Sequence, residues 1–279
     1  ERAARTSAHV VAAAAGPAVY LVTGASRGIG VEWVRQILAR GDSVIATCRN
    51  PSTAAELMAV LDAHRTNGGP GFGLCLPLDV ASEQSVASLP SAIEETGKAS
   101  SIDVLIHNAG ISAPTHPVDP LETASKQSLM DCFETNCAGP LLVTQALLPL
   151  LQHPQAATGD AKVLFIGSRM GCPSLVASTG LGWTSSVSYR TTKAALHMLM
   201  KCFDQELSSS ALVEAGHDGI CFTCATPGWV RTDMGNAGGR MADLGVGESV
   251  AGLVLLLKDM TRASHGGKFF DYNGEEVVL

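Results

Sequence analysis

Residues 19–30 read V-Y-L-V-T-G-A-S-R-G-I-G, a short apolar run that passes directly into a turn containing three glycines. Glycine accepts the backbone dihedrals of a tight turn and lets other groups approach the main chain closely. A helix that begins at such a turn presents free N–H groups and the positive end of its dipole, both of which favour an anion such as a pyrophosphate. The stretch therefore predicts a strand, a phosphate-binding turn and a helix, in that order.

The same alternation continues along the chain. Further apolar runs lie at 43–48, 73–78, 103–107, 162–167, 220–225 and 268–272, separated by longer segments of helical period. Strands that are apolar throughout belong to a sheet covered on both faces, with parallel strands joined by helices. We expect an α/β fold: one Rossmann-type doubly wound parallel sheet of about seven strands with helices on both faces, forming a single domain over residues 19–279.

Six helices are predicted between these strands. Their expected positions are 28–40, from Pro51 after the cap Asn50 to the stop at Gly68, from Ser82 through Pro90, 126–151, 187–209 and 247–260. Proline is favoured in the first turn of a helix and disrupts the interior. We therefore expect Pro51 to begin the second helix and Pro90 to bend or shorten the third.

Composition excludes several classes of function. The formal net charge of -7 and the scattered arginines provide no basic stripe, which argues against a nucleic-acid partner. Uncharged apolar windows are too short to span a membrane. The eight cysteines lack the clustering of a disulfide scaffold, which favours reduced intracellular thiols. Cys221 and Cys224 form a C-x-x-C inside an apolar run, and we interpret them as buried strand residues and expect no metal site.

Residues 1–18 are rich in alanine and contain two arginines with a single acidic residue. This composition suits either a disordered tail or the remnant of a transit peptide. The expected location is soluble and intracellular: cytoplasmic, or plastid or mitochondrial if the segment is a targeting remnant.

Two arginines indicate which nicotinamide cofactor the fold would bind. An acid at the end of the second strand would hold the ribose 2'-hydroxyl of NAD, whereas a basic residue accommodates the 2'-phosphate of NADP. Here Arg49 ends that strand and Arg27 lies in the glycine turn, so the sequence predicts NADP(H). The alternative is that both arginines are solvated surface residues.

Polar residues also follow the third and fourth strands, where a doubly wound sheet binds its ligands. Asp79 could accept a hydrogen bond from an adenine amino group, and Asn108, Ala109 and Gly110 suit close approach of the backbone to a ribose. Plain turn chemistry explains the same residues equally well.

A second group of residues suits proton transfer. Tyr189 and Lys193 stand four residues apart on one face of a predicted helix, where an ammonium could favour the phenolate. Ser168 ends the fifth strand, and Asn136 lies within a predicted helix although an amide is a poor helix former.

The ordered motifs T-G-A-S-R-G-I-G, L-D-V, N-A-G, mid-helix Asn, strand-end Ser, Y-x-x-x-K and P-G-W-V-R-T resemble the short-chain dehydrogenase/reductase family over residues 19 to about 274. Within it, C-R-N-P, G-S-R-M-G and P-G-W-V-R-T-D-M-G are most similar to the C-factor and sniffer-like carbonyl reductases. The resemblance implies a catalytic tetrad of Asn136, Ser168, Tyr189 and Lys193. The residues expected at the cofactor are Gly24, Ser26, Arg27, Gly28, Ile29, Gly30, Arg49, Asp79, Val80, Asn108, Ala109, Gly110, Tyr189, Lys193, Pro227, Gly228, Val230 and Thr232.

Each member of the tetrad has an expected role. Reduction of a carbonyl needs a hydride at carbon and a proton at oxygen, and Tyr189 would donate the proton while Ser168 donates to the substrate oxygen. Asn136 would hold a water that passes protons to Lys193. His107, which stands where the family often has Asn, is interpreted as a packing variation.

Other residues are given packing or gating roles. Asp233 and His197 are interpreted as structural. Met170, Trp183, Trp229 and Met234 could form an apolar substrate pocket, and ordinary packing accounts for each of them equally well. The glycine-rich segment 235–247 could be a lid that closes on the cofactor.

The sequence thus predicts an NADPH-dependent oxidoreductase that reduces carbonyl groups of small aldehydes, ketones or quinones. Two alternatives stay open: an NADP-dependent alcohol dehydrogenase, and a dinucleotide-binding signalling or scaffold protein with little turnover. The long helices at 126–151 and 187–209 could bury against a second copy in a homodimer or homotetramer.

Overall fold

A computed structural model describes residues 16–113, 119–151, 161–176, 186–206 and 219–279. Within these ranges, seven parallel strands form one sheet in the order β3-β2-β1-β4-β5-β6-β7. The strands are β1 Val19–Val22, β2 Ser43–Cys48, β3 Gly73–Pro77, β4 Val104–His107, β5 Ala161–Ile166, β6 Ile220–Thr226 and β7 Phe269–Asp271. The predicted doubly wound sheet is confirmed.

The strand order reverses beside β1. The chain runs outward from β1 to β2 and β3 and then returns to place β4 on the other side of β1. Val22 pairs with Ala46 of β2 and with Ile106 of β4, so the carboxyl ends of these strands lie level. A crevice forms at such a reversal, and the residues that follow each strand line it.

Eleven helices are described, together with a π-helical segment at Glu134–Ala138 and 3-10 turns at Pro51–Thr53, Arg169–Gly171 and Ala237–Gly239. They are α1 Gly28–Ala39, α2 Ala55–Asn67, α3 Glu83–Ala87, α4 Leu89–Glu95, α5 Lys126–Phe133, α6 Gly139–Leu151, α7 Pro173–Val176, α8 Val187–Glu206, α9 Asp233–Asn236, α10 Val246–Asp259 and α11 Arg262–His265.

Two predicted helices begin or divide differently from expectation. The Asn50 side chain caps a 3-10 turn by accepting from the Ser52 N–H, and α2 begins only after that turn, at Ala55. Pro90 lies in the first turn of α4, where a proline is tolerated, so the predicted third helix is divided into α3 and α4 rather than bent.

The predicted continuous helix over 126–151 is interrupted around Asn136. Pro140 has no N–H to donate to the carbonyl of Asn136, four residues earlier. The Gly139 N–H bonds instead to the carbonyl of Glu134, five residues earlier, which widens the turn into a π-helical segment. The proline therefore explains why the irregularity falls at this asparagine.

Two hydrophobic cores cover the faces of the sheet. On one face α1, α2 and α10 contribute Trp33, Leu57 and Leu253, which are completely buried. On the other face α6 and α8 contribute Leu147 and Met200, also completely buried. Burial on both faces explains why the strand segments are apolar throughout.

The C-x-x-C cysteines lie on opposite faces of β6. Cys221 packs in the core with α1 and α10, and Cys224 packs in the core with α8. Side chains three residues apart on a strand point in opposite directions. The two thiols therefore do not converge on one metal or form a pair, in agreement with their interpretation as buried strand residues.

Among the described residues, no helix has both the length and the apolar character needed to cross a bilayer. Of the first eighteen residues only 16–18 are described, so the interpretation of that segment lies mainly outside the described residues.

We predict that the core contact of α10 dominates its contribution to stability. Leu253 is completely buried, whereas Leu255 on the same helix is 62% exposed. Leu253→Ala should lower the free energy of unfolding by about 2–5 kcal/mol because it leaves a cavity, and Leu255→Ala should change it by less than about 0.5 kcal/mol. Urea unfolding measures both, and equal effects would contradict the packing of α10 on the sheet.

Candidate active site

A cavity of about 1210 Å³ opens along the carboxyl edge of the sheet. It reaches from the glycine turn after β1 to the first turns of α8. Every site residue predicted from the sequence lines this cavity except Gly30 and Asn136. The sheet topology therefore brings most of the residues predicted for cofactor binding and for proton transfer into one space.

Close packing explains the glycines after β1. Gly24 has a φ of +67°, and a Cβ there would lie 2.7 Å from the Cα of Ala109. A Cβ on Gly30 would lie 2.2 Å from the carbonyl oxygen of Gly24. Asn108 Nδ2 donates to the carbonyls of Thr23 and Gly24 at 2.9 and 3.0 Å. The Asn108 side chain thus holds the turn, and Gly30 keeps α1 close to it.

The start of α1 suits an anion. Arg27 occupies the N-cap in an extended conformation, no side chain in the described residues caps the helix, and its first turn contains no acid. The N–H groups and the positive dipole end are therefore available to a phosphate. Arg27 and Arg49 line this part of the cavity, and Arg27 Nε lies 3.7 Å from an Asp233 carboxylate oxygen. These donors fit the pyrophosphate and ribose phosphate of a dinucleotide.

Asp79 and Val80 line the cavity beyond β3 and also shape its wall. Asp79 Oδ1 accepts from the Ala81 N–H at 3.1 Å, and the Asp79 N–H donates to Ser85 Oγ at 3.0 Å. Val80 packs on the π-helical segment so closely that a Cβ on Gly139 would lie 2.9 Å from its carbonyl oxygen. Asp79 therefore both stabilises the turn after β3 and lines the cavity.

The segment after β6 closes back on itself at the cavity. Gly228 has a φ of +78°, and Pro227 O accepts from Ser249 Oγ at 2.6 Å. Val230 pairs with Leu244, a residue of the segment 235–247, in an isolated parallel β-bridge. Thr232 Oγ1 accepts from the Gly235 N–H at 3.0 Å and so caps α9.

Tyr189, Lys193 and Ser168 meet at the other end of the cavity. The Ser168 hydroxyl is hydrogen-bonded to the phenol of Tyr189. Lys193 Nζ lies 5.6 Å from the centroid of the Tyr189 ring and donates to the carbonyl of Ile166 at 2.6 Å. The serine contacts the phenol hydroxyl, and the ammonium faces the ring.

Burial and charge act against each other on the two titratable groups. Burial raises the pKa of Tyr189 to about 12, while the hydrogen bond with Ser168 and the charge of Arg240 lower it. Burial lowers the pKa of Lys193 to about 8, with the nearby Cys224 and Cys137 acting in the opposite direction. Lys193, which the sequence predicted would lower the pKa of Tyr189, is not among these influences; Ser168 and Arg240 act in that direction instead.

Asn136 is completely buried and bonded to the backbone after β4. Its Oδ1 accepts from the Ile111 N–H and its Nδ2 donates to the Ile111 carbonyl, both at 2.8 Å; Nδ2 also reaches Thr192 Oγ1 at 3.1 Å. The point where a Cβ would stand on Gly110 lies 3.3 Å from Asn136 Oδ1 and 3.7 Å from Lys193 Nζ. Because Gly110 has no side chain, a small gap remains between Asn136 Oδ1 and Lys193 Nζ.

The two buried histidines have packing contacts. His107 Nε2 lies 2.8 Å from Thr144 Oγ1, its ring stacks on Phe165, and burial lowers its pKa to about 3. His197 Nε2 accepts from the Ser168 N–H at 3.4 Å, and burial together with the charge of Lys193 lowers its pKa to about 4. Both rings are therefore neutral at neutral pH.

Several cavity residues carried no sequence signal that identified them. Arg190 follows Tyr189 on α8, Arg169 is ion-paired with Asp271 at the end of β7, and Arg240 lies in the segment 235–247; all line the cavity. Met170, Trp229 and Met234 line it as expected, and Trp183 lies outside the described residues. Arg169 is held by a residue distant in sequence, and no motif of the sequence included Arg190 or Arg240, so the sequence did not identify them.

Comparison with known proteins agrees with this geometry. Residues 18–242 match the family model described as short chain dehydrogenase. Norsolorinic acid ketoreductase of Dothistroma septosporum is 31% identical over 90% of this chain and 88% of its own length. The C-signal protein of Myxococcus xanthus is 37% identical over 63% of this chain and 92% of its own length.

A solved structure provides the same comparison in three dimensions. The NADPH-bound carbonyl reductase from chicken fatty liver superposes with a TM-score of 0.77 at 29% identity, covering 95% of this chain and 100% of the chicken chain. The match to the family model extends over most of the sheet and both ends of the cavity. The chain belongs to the short-chain dehydrogenase family of oxidoreductases.

Proposed function

We propose that this chain reduces carbonyl groups of small aldehydes, ketones or quinones with NADPH, and that Tyr189 donates the proton. The observation that carries this proposal is the hydrogen-bonded pair of Ser168 and Tyr189, with Lys193 one helical turn further along α8, at the cavity wall. A phenol and a hydroxyl that converge on one space can together bind a single carbonyl oxygen.

The proposed cofactor residues form the other end of the cavity. The uncapped start of α1 and the backbone around Gly24 and Gly28 would hold the pyrophosphate, and Arg27 and Arg49 would hold the 2'-phosphate. When bound, NADPH supplies a hydride for the carbonyl carbon. The chicken carbonyl reductase, whose structure contains NADPH, supports this choice of cofactor.

The raised pKa of Tyr189 suits the proposed role of proton donor. A group with a pKa of about 12 is protonated at neutral pH and can donate to a developing alkoxide. Alcohol oxidation would instead require the phenolate, which burial disfavours. Lys193, with its pKa lowered to about 8, exchanges protons more readily at neutral pH than an ordinary lysine. It would resupply the proton to Tyr189. Asn136 would hold a water in the gap beside Gly110, and this water would pass protons to Lys193.

Proposed contacts of the substrate come from the apolar wall. Met170 follows the Ser168 turn, and Trp229 is fixed by donation from Nε1 to the carbonyl of Gly235 at 3.0 Å. Met234 borders the same space and is 37% exposed. These side chains suit the carbon skeleton of a small carbonyl compound.

We predict that Tyr189→Phe lowers kcat by about 10²–10⁴-fold because it removes the proton donor and keeps the ring. The dissociation constant for NADPH should change by far less than kcat, because the other residues expected at the cofactor are kept. Steady-state oxidation of NADPH with a panel of aldehydes, ketones and quinones measures the first quantity, and quenching of protein fluorescence measures the second.

Tyr20→Phe is the matched control for this experiment. Tyr20 lies on β1 beside a separate cavity lined by Arg40, Asp42 and Asp103, away from the cavity that holds Tyr189. Its removal should leave kcat unchanged. An unmutated protein that binds NADPH but reduces no carbonyl of the panel would contradict an enzymatic function.

Arg27 and Arg49 should determine the preference between the two nicotinamide cofactors. Arg27→Ala and Arg49→Ala should each raise KM for NADPH by about 10-fold because they remove a charged partner of the phosphate, and neither should alter KM for NADH. Arg65→Ala, at an exposed position of α2 paired with Asp62, is the control. Equal KM values for both cofactors in the unmutated protein would show that the arginines are merely solvated.

The segment 235–247 should respond to cofactor binding if it acts as a lid. We expect added NADPH to slow amide hydrogen exchange there, because the segment borders the proposed binding site and contains the end of α9 and the adjoining 3-10 turn. The helix α11, which does not line the cavity, provides the internal control. Unchanged exchange in 235–247 would contradict closure on the cofactor.

A further inference from the structure

An ion pair that the proposed reaction does not use joins two motifs of the sequence. Arg169 belongs to G-S-R-M-G and directly follows Ser168, whereas Asp271 belongs to F-D-Y-N-G and ends β7. Arg169 Nη2 contacts Asp271 Oδ2. The pair therefore connects the turn after the proposed catalytic serine to the last strand of the sheet.

This ion pair reaches past an intervening strand. The strand β5 leads to Ser168 and β7 ends at Asp271, and β6 lies between them. Neighbouring strands are about 4.8 Å apart, so the pair spans two such spacings. Ile166 pairs with Ala225, and Thr226 pairs with Asp271, so the ends of the three strands are nearly level. Arg169 and Asp271 therefore meet at the carboxyl edge of the sheet, in the wall of the cavity.

The two partners differ in burial. Asp271 is 6% exposed, and its Oδ1 accepts from the Tyr272 N–H at 2.7 Å while Oδ2 faces Arg169. A carboxylate buried to this extent is costly unless a positive charge pairs with it. The side chain of Arg169 is 54% exposed. Loss of the carboxylate would therefore leave a hydrated guanidinium, whereas loss of the guanidinium would leave a buried charge unpaired.

The turn that begins at Arg169 orients the hydroxyl of Ser168. Ser168 Oγ accepts from the Met170 N–H at 3.1 Å, and the Ser168 carbonyl accepts from the Gly171 N–H at 2.9 Å. Because Oγ accepts from the turn, its own hydrogen is directed away from the turn. The same hydroxyl is hydrogen-bonded to the phenol of Tyr189. A shift of the turn would therefore move the hydroxyl relative to the phenol.

Two contacts with distant parts of the chain hold this turn. One is close packing on α8, where a Cβ on Gly171 would lie 2.7 Å from the backbone carbonyl carbon of Lys193. The other is the ion pair of Arg169 with Asp271. A group that donates to a reacting oxygen contributes fully only when its position is fixed, and small displacements lower the rate.

We propose that Arg169 and Asp271 form a positioning pair that orients Ser168 toward the substrate oxygen through the turn at residues 169–171. The inference rests on the proposed carbonyl reduction and adds two residues to it. Neither residue exchanges a proton in the reaction. A different role for Arg169, direct contact with the substrate, is an outcome that the test distinguishes.

The first test weakens the pair from the side of the carboxylate. Asp271→Asn keeps the shape of the side chain and an oxygen for the Tyr272 N–H. It should lower kcat for a neutral aldehyde of the panel by about 3–10-fold, because a neutral hydrogen bond replaces a charged one. KM for NADPH should change far less than kcat, whereas general damage to the cavity would change both. Urea unfolding confirms that the variant is folded.

A double-mutant cycle tests whether the two residues act together. Arg169→Gln should lower kcat in the unmutated protein and cause little further loss in the Asp271→Asn background. Arg169→Lys, which retains the charge, should lower kcat less than Arg169→Gln does. If Arg169→Gln does not fold because Asp271 is left unpaired, the cycle is completed with Arg169→Lys.

Lys268→Gln is the matched control. Lys268 directly precedes β7 and forms an ion pair with Glu276 at 3.0 Å, but it does not line the cavity. Breaking this pair should leave kcat unchanged.

Two results would overturn the positioning pair. One is an Asp271→Asn variant with the kcat of the unmutated protein. The other is an equal loss of kcat from the Arg169 substitution in both backgrounds, which would assign Arg169 to the substrate.

Failure of the proposed reaction is recognised separately. If the unmutated protein reduces no carbonyl of the panel, carbonyl reduction fails, and amide hydrogen exchange at residues 170–172 decides the role of the pair. Faster exchange there in Asp271→Asn than in Lys268→Gln supports an ion pair that holds the turn. Equal exchange contradicts it.

Discussion

The hydrogen bonds from Asn108 to the glycine turn are the constraint on which both ends of the cavity depend. The amide of this one side chain spans the gap between β4 and the turn after β1 and donates to the carbonyls of Thr23 and Gly24. Thr23 Oγ1 in turn accepts from the Asn108 and Ala109 N–H groups at 3.1 and 3.0 Å. This exchange fixes the strand ends at the reversal of strand order, where a ligand crevice forms. This close packing requires glycine at two positions. A side chain at Gly24 would collide with Ala109 after β4, and a side chain at Gly30 would collide with the carbonyl of Gly24.

The same strand end connects to the proton-transfer residues. Two residues beyond Ala109, the Ile111 backbone bonds twice to the Asn136 side chain, which also reaches Thr192 on the helix that carries Lys193. Asn136 lies in the π-helical segment, which forms because Pro140 has no N–H to donate to the carbonyl of Asn136. A buried amide with both ends satisfied is a rigid link. The hydrogen bonds of Asn136 therefore link the backbone after β4 to α8, and this link explains why a polar residue lies inside the helical segment.

The fold could be predicted from the sequence because local signals and global topology agree. Continuous apolar runs identified the strands, and the glycine turn identified the first β-α unit. Helix interruptions were harder, since Pro140 was visible in the sequence but its effect on Asn136 depends on a five-residue hydrogen bond. The tetrad and cofactor residues were placed by motif, and most line the cavity. No motif included Arg190 or Arg240, and the sequence did not show that the segment around residue 240 folds back to the cavity that Tyr189 lines.

The pKa of Tyr189 depends on burial and on groups from several parts of the fold. Burial raises its pKa, and the neighbouring Cys132 and Cys224 act in the same direction, whereas the Ser168 hydrogen bond and the Arg240 charge lower it. Burial is the largest of these influences, so the phenol is neutral at neutral pH. The two opposing groups favour the phenolate, and one of them, Arg240, belongs to a segment separate from β5 and α8. Because Arg240 depends on the glycines at 238 and 239 for its position, the conformation of this segment also influences the pKa of Tyr189.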